Sequence, residues 1–174
     1  KGLIVERGME GFTTPETHNK WSLRASATGE LIFDNVKVPK ENLLLGKTGL
    51  GAPMQCLDSA RYGIAWGAIG AAMDCYDTAL RYAKERIQFG KPIAGTQLQQ
   101  KKLAEMITEI TKAQLLTWRL GVLRNEGKAT TAQISMAKRN NVDMAINIAR
   151  EARQILGGMG ITGEFPIMRH MMNL

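Results

Sequence analysis

The chain has 174 residues, 44% of them hydrophobic but only 6% aromatic, with a formal net charge of +7. That length is enough for one cored domain, or for one domain plus a piece of another, and an apolar content carried by alanine and ten methionines suits packed helices better than a β-sandwich. No apolar run reaches the roughly 18 residues of a membrane span, and Lys1 opens into "KGLIVERG" without a signal-peptide layout. In chain order, residues 1–45 carry β signals. "KGLIVERG" is followed by "WSLRASATGELIFDNVKVP", where Thr28-Gly29 is placed to turn one strand into the next, and Leu31, Phe33, Val36 and Val38 alternate around a break at Asp34-Asn35. Two or three strands do not make a stable sheet alone, so this half reads as the tail of a β-domain that begins upstream.

From about residue 50 the period becomes helical. The pattern predicts helices over Met54–Gln88, Thr96 to about Glu126, about Thr131 to Leu156, and a fourth from near Pro166. In the second, Leu103, Met106, Ile107, Ile110, Ala113, Leu116, Leu120 and Leu123 form one apolar stripe; in the third, Asn141, Ala145, Ile148, Ala152 and Ile155 do the same. Long helices joined by short loops pack as an antiparallel bundle. Gly63, Gly67 and Gly70 inside the first helix each cost about 1 kcal/mol relative to alanine, which predicts close helix packing there. The loop "ERIQFGKPIAGTQ" stops the first helix at Gly90, blocks it at Pro92 and restarts at Thr96, an N-cap candidate; beside it stand Arg86, Gln88 and Phe89.

Several chemistries fail on spacing. Cys56 and Cys75 lie 19 positions apart on one predicted helix, about 28 Å by helical rise, so they cannot pair with each other. Two free thiols suit a reducing compartment. With two isolated histidines, His18 and His170, and no CxxC, no metal cluster is expected. "GKT" at Gly46 to Thr48 mimics a Walker A ending, but Glu41 stands where the motif needs its first glycine. No serine lies in a G-x-S-x-G elbow. Glu105 and Glu109 sit among lysines and read as surface partners. The positive charge favours anionic partners, yet it is spread along helix faces, and no nucleic-acid module or interleaved aromatics accompany it, so nucleic-acid binding is not expected.

"RQILGGMGITGEFP", Arg153 to Pro166, is rich in glycine but follows a helix, whereas phosphate-cradling loops precede one. Gly157 and Gly158 are therefore read first as a helix stop at positive φ.

"KWSLRASATGELIFDNVKVPKENLL", "CLDSARYGIAWGAIGAA", "YAKERIQFGKPIAGTQLQQKKLAEM" and "ARQILGGMGITGEFPIMRHMMNL" together resemble the flavin-dependent acyl-CoA dehydrogenases, in order and over the whole chain. Within the family, "SLRASATG" and "ARYGIAWG" resemble the branch acting on glutaryl-CoA. The resemblance implies a mainly α chain: a C-terminal four-helix bundle over 46–174, truncated before its last helices, preceded by the last strands of a middle β-domain over 1–45. It implies FAD as cofactor, held at subunit interfaces of a homotetramer. The implied reaction removes a proton from Cα of the thioester and a hydride from Cβ, releases carbon dioxide to give crotonyl-CoA, and passes electrons to electron-transfer flavoprotein. A non-decarboxylating or short-chain acyl-CoA dehydrogenase is the alternative enzyme, and a non-catalytic basic helical-bundle module the alternative of another class. The compartment implied is the bacterial cytoplasm or the mitochondrial matrix.

Residue by residue, Arg86 matches the family's FAD pyrophosphate arginine, and Phe89 and Gln97 match positions lining the dinucleotide. Gln154, Ile155, Leu156, Gly157 and Gly158 match a segment against the adenosine diphosphate half of FAD of the neighbouring subunit. A helix C-terminal cation, a loop anchor and a solvent-facing amide are the structural alternatives for Arg86, Phe89 and Gln97. Leu57, Asp58 and Arg61 match the acyl-CoA contact region, although Asp58 and Arg61 equally fit a helix ion pair. No catalytic base is assigned: the family glutamate is expected beyond Leu174, and the position some relatives use instead is Ala60. The chain by itself is expected to be inactive.

Overall fold

The computed structural model describes residues 1–46 and 49–174; Lys47 and Thr48 of the "GKT" run lie outside the described residues. The chain divides into two compact units, residues 1–57 and 58–174.

The first unit is built from short antiparallel pairs. β1 (Gly2–Leu3) pairs with β4 (Leu43–Leu44), and β2 (Phe12–Thr13) with β3 (Ile32–Phe33). Phe12 and Phe33, directly opposite in register, stack at 5.0 Å between centroids. Leu31, Ile32 and Phe33 are exposed within this unit. The strand expected ahead of a Thr28-Gly29 turn is replaced by turns and bends. The physical reason is the Lys20 ammonium, which donates to the Leu23 carbonyl at 3.0 Å, to Thr28 Oγ1 at 2.7 Å and to the Ser26 carbonyl. Backbone carbonyls that converge on one cation are not free for a ladder. Gly29 forms a bridge with Glu16 instead of turning a hairpin.

The helices are α1 (Gly51–Glu85), α2 (Gln97–Asn125), α3 (Thr131–Leu156) and α4 (Ile167–Asn173). α3 is the central element, packed against both α2 and α4. It starts where the sequence supplies a capping box: Thr130 Oγ1 accepts from the Gln133 N–H at 3.3 Å, and Gln133 Oε1 accepts from the Thr130 N–H at 2.9 Å. Thr96 occupies the N-cap of α2 without a side-chain cap; its hydroxyl donates back to the Ile93 carbonyl at 2.8 Å.

The main core joins Ala68, Ile69, Ala72, Cys75 and Ala79 of α1 to Leu103, Met106 and Ile110 of α2 and to Ala145, Ile148, Ala152 and Ile155 of α3. Each fully buried isoleucine, Ile69, Ile110 and Ile167, contributes about 1.5–3 kcal/mol. The α3 stripe is buried as the period requires, but in α2 Ile107 is 41% exposed, and Thr117, absent from the expected stripe, is fully buried. Asn141 on that α3 stripe is fully buried and donates to Thr117 Oγ1 at 2.7 Å and to the Ala65 carbonyl at 3.0 Å, tying three helices together.

The glycine expectation for α1 is corrected. A Cβ at Gly63, Gly67 or Gly70 would meet nothing within 4 Å, whereas one at Gly121 of α2 would sit 2.7 Å from the Tyr62 hydroxyl. The close approach is made from the facing helix. Tyr62 is fixed there because the Arg124 guanidinium lies 4.3 Å from its ring centroid.

Candidate functional site

α1 ends at Glu85, three residues before the expected Gln88, because the next segment forms a hairpin. β5 (Ile87–Gln88) pairs with β6 (Lys91–Pro92), and the two loop residues, Phe89 at φ 53 and Gly90 at φ 77, make a turn of the primed kind. Arg86 sits at its base. Its N–H donates to the Tyr82 carbonyl at 2.8 Å and its carbonyl accepts from Ile93 N–H at 2.9 Å, so the backbone is pinned on both sides. The guanidinium has no hydrogen-bond or ion-pair partner among the described residues.

Across from Arg86 lies the end of α3. Gly157 takes φ 59 and its N–H returns to the Gln154 carbonyl, closing the helix, after which a 3-10 turn runs from Gly157 to Ile161. Gly158 is not at positive φ, so only the first glycine of the pair performs the helix stop. Gly160 has a packing role: a Cβ there would stand 2.4 Å from the Arg153 carbonyl oxygen. Neither Gly157 nor Gly158 has any atom within 4 Å of a built Cβ, so both present bare backbone to open space.

Together these elements enclose a cavity of about 440 Å³ lined by Tyr82, Arg86, Gln88, Ile93, Gln99, Gln154, Ile155, Leu156, Gly157, Gly158 and Met159. Six of the sequence-derived cofactor positions thus converge: Arg86, Gln154, Ile155, Leu156, Gly157 and Gly158. Phe89 and Gln97 do not line it. The Phe89 ring is fully exposed at the hairpin tip, and Gln97 is exposed on the first turn of α2. Two residues further along, Gln99 faces the cavity, and its Oε1 is buried without a partner. Residues two apart on a helix point nearly opposite ways, so the signal for Gln99 was the helical phase of this first turn.

The arrangement suits a large ligand with a flat body and an anionic part. Ile155, Leu156, Ile93 and Tyr82 give an apolar floor, the unpaired Arg86 fork supplies charge, and the glycines let a plane approach the backbone.

The other candidate group lies elsewhere. Asp58 and Arg61 form an ion pair at 3.2 Å, and Asp58 Oδ2 also accepts from the Thr131 hydroxyl at 2.6 Å. Leu57 is 45% exposed. Arg86 follows Asp58 by 28 positions, roughly 40 Å along the helix. Ala60 is exposed and carries no ionisable group. Glu105 pairs with Lys101 at 3.6 Å and Glu109 with Lys112 at 2.7 Å, as surface ion pairs. Among the described residues no three His, Cys, Asp or Glu side chains are placed to hold a metal ion, and no helix is long and apolar enough to cross a membrane.

A mainly helical bundle with a concave site where two helices end is the class of domain that this fold and cavity define. Residues 47–174 match the family model "Acyl-CoA dehydrogenase, C-terminal domain". The chain belongs to the acyl-CoA dehydrogenase family. It is similar to a short-chain specific acyl-CoA dehydrogenase of Megasphaera elsdenii, 41% identical over 97% of this chain and 44% of that protein. It is also similar to two solved structures from Mycobacterium smegmatis: a glutaryl-CoA dehydrogenase, 50% identical with a TM-score of 0.96, and a glutaryl-CoA dehydrogenase in complex with FADH2, 46% identical with a TM-score of 0.96. Both alignments cover 99% of this chain, and 44% and 45% of the respective structures. The chain thus spans less than half the length of these relatives.

Proposed function

We propose that the chain is the C-terminal part of an FAD-dependent glutaryl-CoA dehydrogenase, with residues 1–45 ending its middle β-domain and 46–174 forming most of its bundle. The activity so assigned is oxidation of glutaryl-CoA between Cα and Cβ with loss of the distal carboxylate as carbon dioxide, giving crotonyl-CoA. Electrons pass to electron-transfer flavoprotein. The observation that carries the reading is the 50% identity to a glutaryl-CoA dehydrogenase at a TM-score of 0.96. A short-chain, non-decarboxylating activity is the second reading, favoured by the 41% identity to the Megasphaera elsdenii protein.

The cavity residues fit the cofactor: the orphaned Gln99 Oε1 lacks a donor that a bound nucleotide supplies, and side chains at Gly157 and Gly158 would project into open space. FAD, when bound, would accept the hydride leaving Cβ. In this reading the Arg86 fork would hold the FAD pyrophosphate, and Gln154 to Gly158 would lie against the adenosine diphosphate half of the FAD of a neighbouring subunit. Phe89 and Gln97, which do not line the cavity, are assigned by resemblance to the same dinucleotide as Arg86, in a homotetramer that would hold FAD at its subunit interfaces. Leu57, Asp58 and Arg61 border the acyl-CoA chain. Alanine at position 60 cannot accept the Cα proton, and we assign no catalytic base within the chain. We place the enzyme in the bacterial cytoplasm or the mitochondrial matrix.

The test is anaerobic titration of the complete enzyme with glutaryl-CoA, following flavin absorbance and trapping carbon dioxide. Bleaching with carbon dioxide release is expected. Bleaching without it would move the function to the short-chain reading, and a colourless protein would overturn both.

A further inference from the structure

The two walls of the cavity between Arg86 and the end of α3 come from different helices, so its width is set by whatever joins them. On one wall stands Tyr82, in the last turn of α1, whose carbonyl accepts the Arg86 N–H at 2.8 Å. Tyr82 lines the 440 Å³ cavity and also a second one of about 280 Å³, whose other walls are Thr78, Arg81, Glu85, Phe165 and Pro166. Tyr82 is therefore the partition between a space with an assigned ligand and a space with none.

Phe165 meets that partition from the second cavity. The two ring centroids lie 5.6 Å apart with the planes at 85°, the edge-to-face arrangement that aromatic quadrupoles favour. Both rings are half-buried against the main core. Phe165 belongs to the same stretch of chain as the opposite wall, Gly157 to Met159, and that stretch is fixed along its length. Gly160 packs under the Arg153 carbonyl, and the Thr162 hydroxyl and N–H both donate to the Met159 carbonyl, at 2.9 and 3.2 Å. Beyond Phe165, the Pro166 ring holds its own φ at −73°, the Pro166 carbonyl accepts from the His170 N–H at 3.1 Å, and Ile167 is fully buried. The contact between Tyr82 and Phe165 thus bridges the two walls from outside the cofactor cavity.

We propose that Phe165 is a positioning residue for the dinucleotide site: it holds the Tyr82 ring edge-on and, through it, sets the gap between Arg86 and the wall from Gly157 to Met159. The proposal rests on the reading of this cavity as the FAD site. Phe165 acts on the cofactor through Tyr82 and not by contact. Core filling is supplied by the neighbouring Ile167, which solvent does not reach. A leucine at 165 would still be apolar, but it has no ring to fix the plane of Tyr82, which could then turn into the space that a flat ligand needs.

The experiment is fluorescence titration of the complete apoenzyme with FAD, beside urea denaturation of the same variants. Phe165→Leu should weaken FAD binding about fivefold, the size of one lost aromatic pair, whereas Phe165→Tyr, which keeps the ring, should stay within about twofold of wild type. Ile167→Val trims the core beside Phe165 and should lower the urea midpoint while leaving FAD binding unchanged. Equal weakening of FAD by Ile167→Val would reduce Phe165 to a stability residue and overturn the proposal. In Tyr82→Leu the ring to be held is gone, so adding Phe165→Leu should weaken FAD no further. Losses that multiply in the double variant would overturn the proposal as well. Arg86→Ala tells the two readings apart: FAD weakened by Arg86→Ala but not by Phe165→Leu overturns the role of Phe165 alone, and a wild-type constant in both variants overturns the cavity assignment with it.

Discussion

Asn141 and Thr117 meet 2.7 Å apart in the middle of the bundle, amide donating to hydroxyl oxygen, and solvent reaches neither. The hydroxyl donates its own hydrogen bond to the Ala113 carbonyl at 2.8 Å, and the amide also donates to the Ala65 carbonyl. One side chain of α3 thereby fixes the phase of both neighbouring helices. Asn141→Ala removes both bonds and leaves a cavity, at a cost of about 2–4 kcal/mol. Urea denaturation measures it. A double-mutant cycle with Thr117→Val should give a coupling of about 1 kcal/mol, and strict additivity would mean that the pair does not act as a unit.

The glycines after α3 separate by mechanism. Gly160→Ala drives a Cβ to 2.4 Å from the Arg153 carbonyl and should destabilise the fold by about 1–3 kcal/mol. Gly158→Ala meets no atom and needs no positive φ, so thermal stability without cofactor should change by less than about 0.5 kcal/mol. Gly158 does line the cavity assigned to the cofactor. FAD retained per protomer, read from flavin-to-protein absorbance, should fall for Gly158→Ala despite the intact fold.

Arg86→Lys keeps a cation but loses the fork. If Arg86 grips a pyrophosphate, the FAD dissociation constant should rise about tenfold for Arg86→Lys and further for Arg86→Ala, with little change in urea stability because the guanidinium holds no partner in the fold. Fluorescence titration of the apoenzyme with FAD measures both. A wild-type constant for Arg86→Ala would remove Arg86 from the site.

Burial, assisted by the neighbouring Asp74 carboxylate, pushes the Cys75 thiol up to about 12 from 9.0. The unfolded chain therefore releases this proton first, and stability conferred by the buried neutral thiol is intact below about pH 9 and falls as the pH rises toward about 12. At pH 8 a thiol reagent should label exposed Cys56 of this chain and spare Cys75 until denaturant is added.

Much of the bundle was legible because its spacing repeats. The α3 stripe from Asn141 to Ile155 has the period of a buried face, whereas the Thr130–Gln133 box that starts the helix was seen only in the structure. Contacts between distant segments were not legible. Gly63, Gly67 and Gly70 look like close-packing glycines, yet the approach occurs at Gly121, selected by where Tyr62 points from another helix. Thr28-Gly29 suggested a turn between two strands, but ahead of it a single lysine gathers the carbonyls into turns. In the cavity the resemblance led to Arg86 and the Gln154–Gly158 segment. Gln99 became visible only once the phase of α2 was known.

The hairpin between α1 and α2 holds a non-glycine residue at φ 53 with its aromatic ring wholly in water. Either feature works against folding: left-handed backbone at such a residue costs about 1–3 kcal/mol, and the ring recovers none of the gain of burial. Asparagine would form the same primed turn with less strain. Residue 89 thus displays its ring at the expense of the chain's own stability, and if the proposed dinucleotide contact holds, it marks where engineering for heat resistance and engineering for cofactor binding would select opposite amino acids.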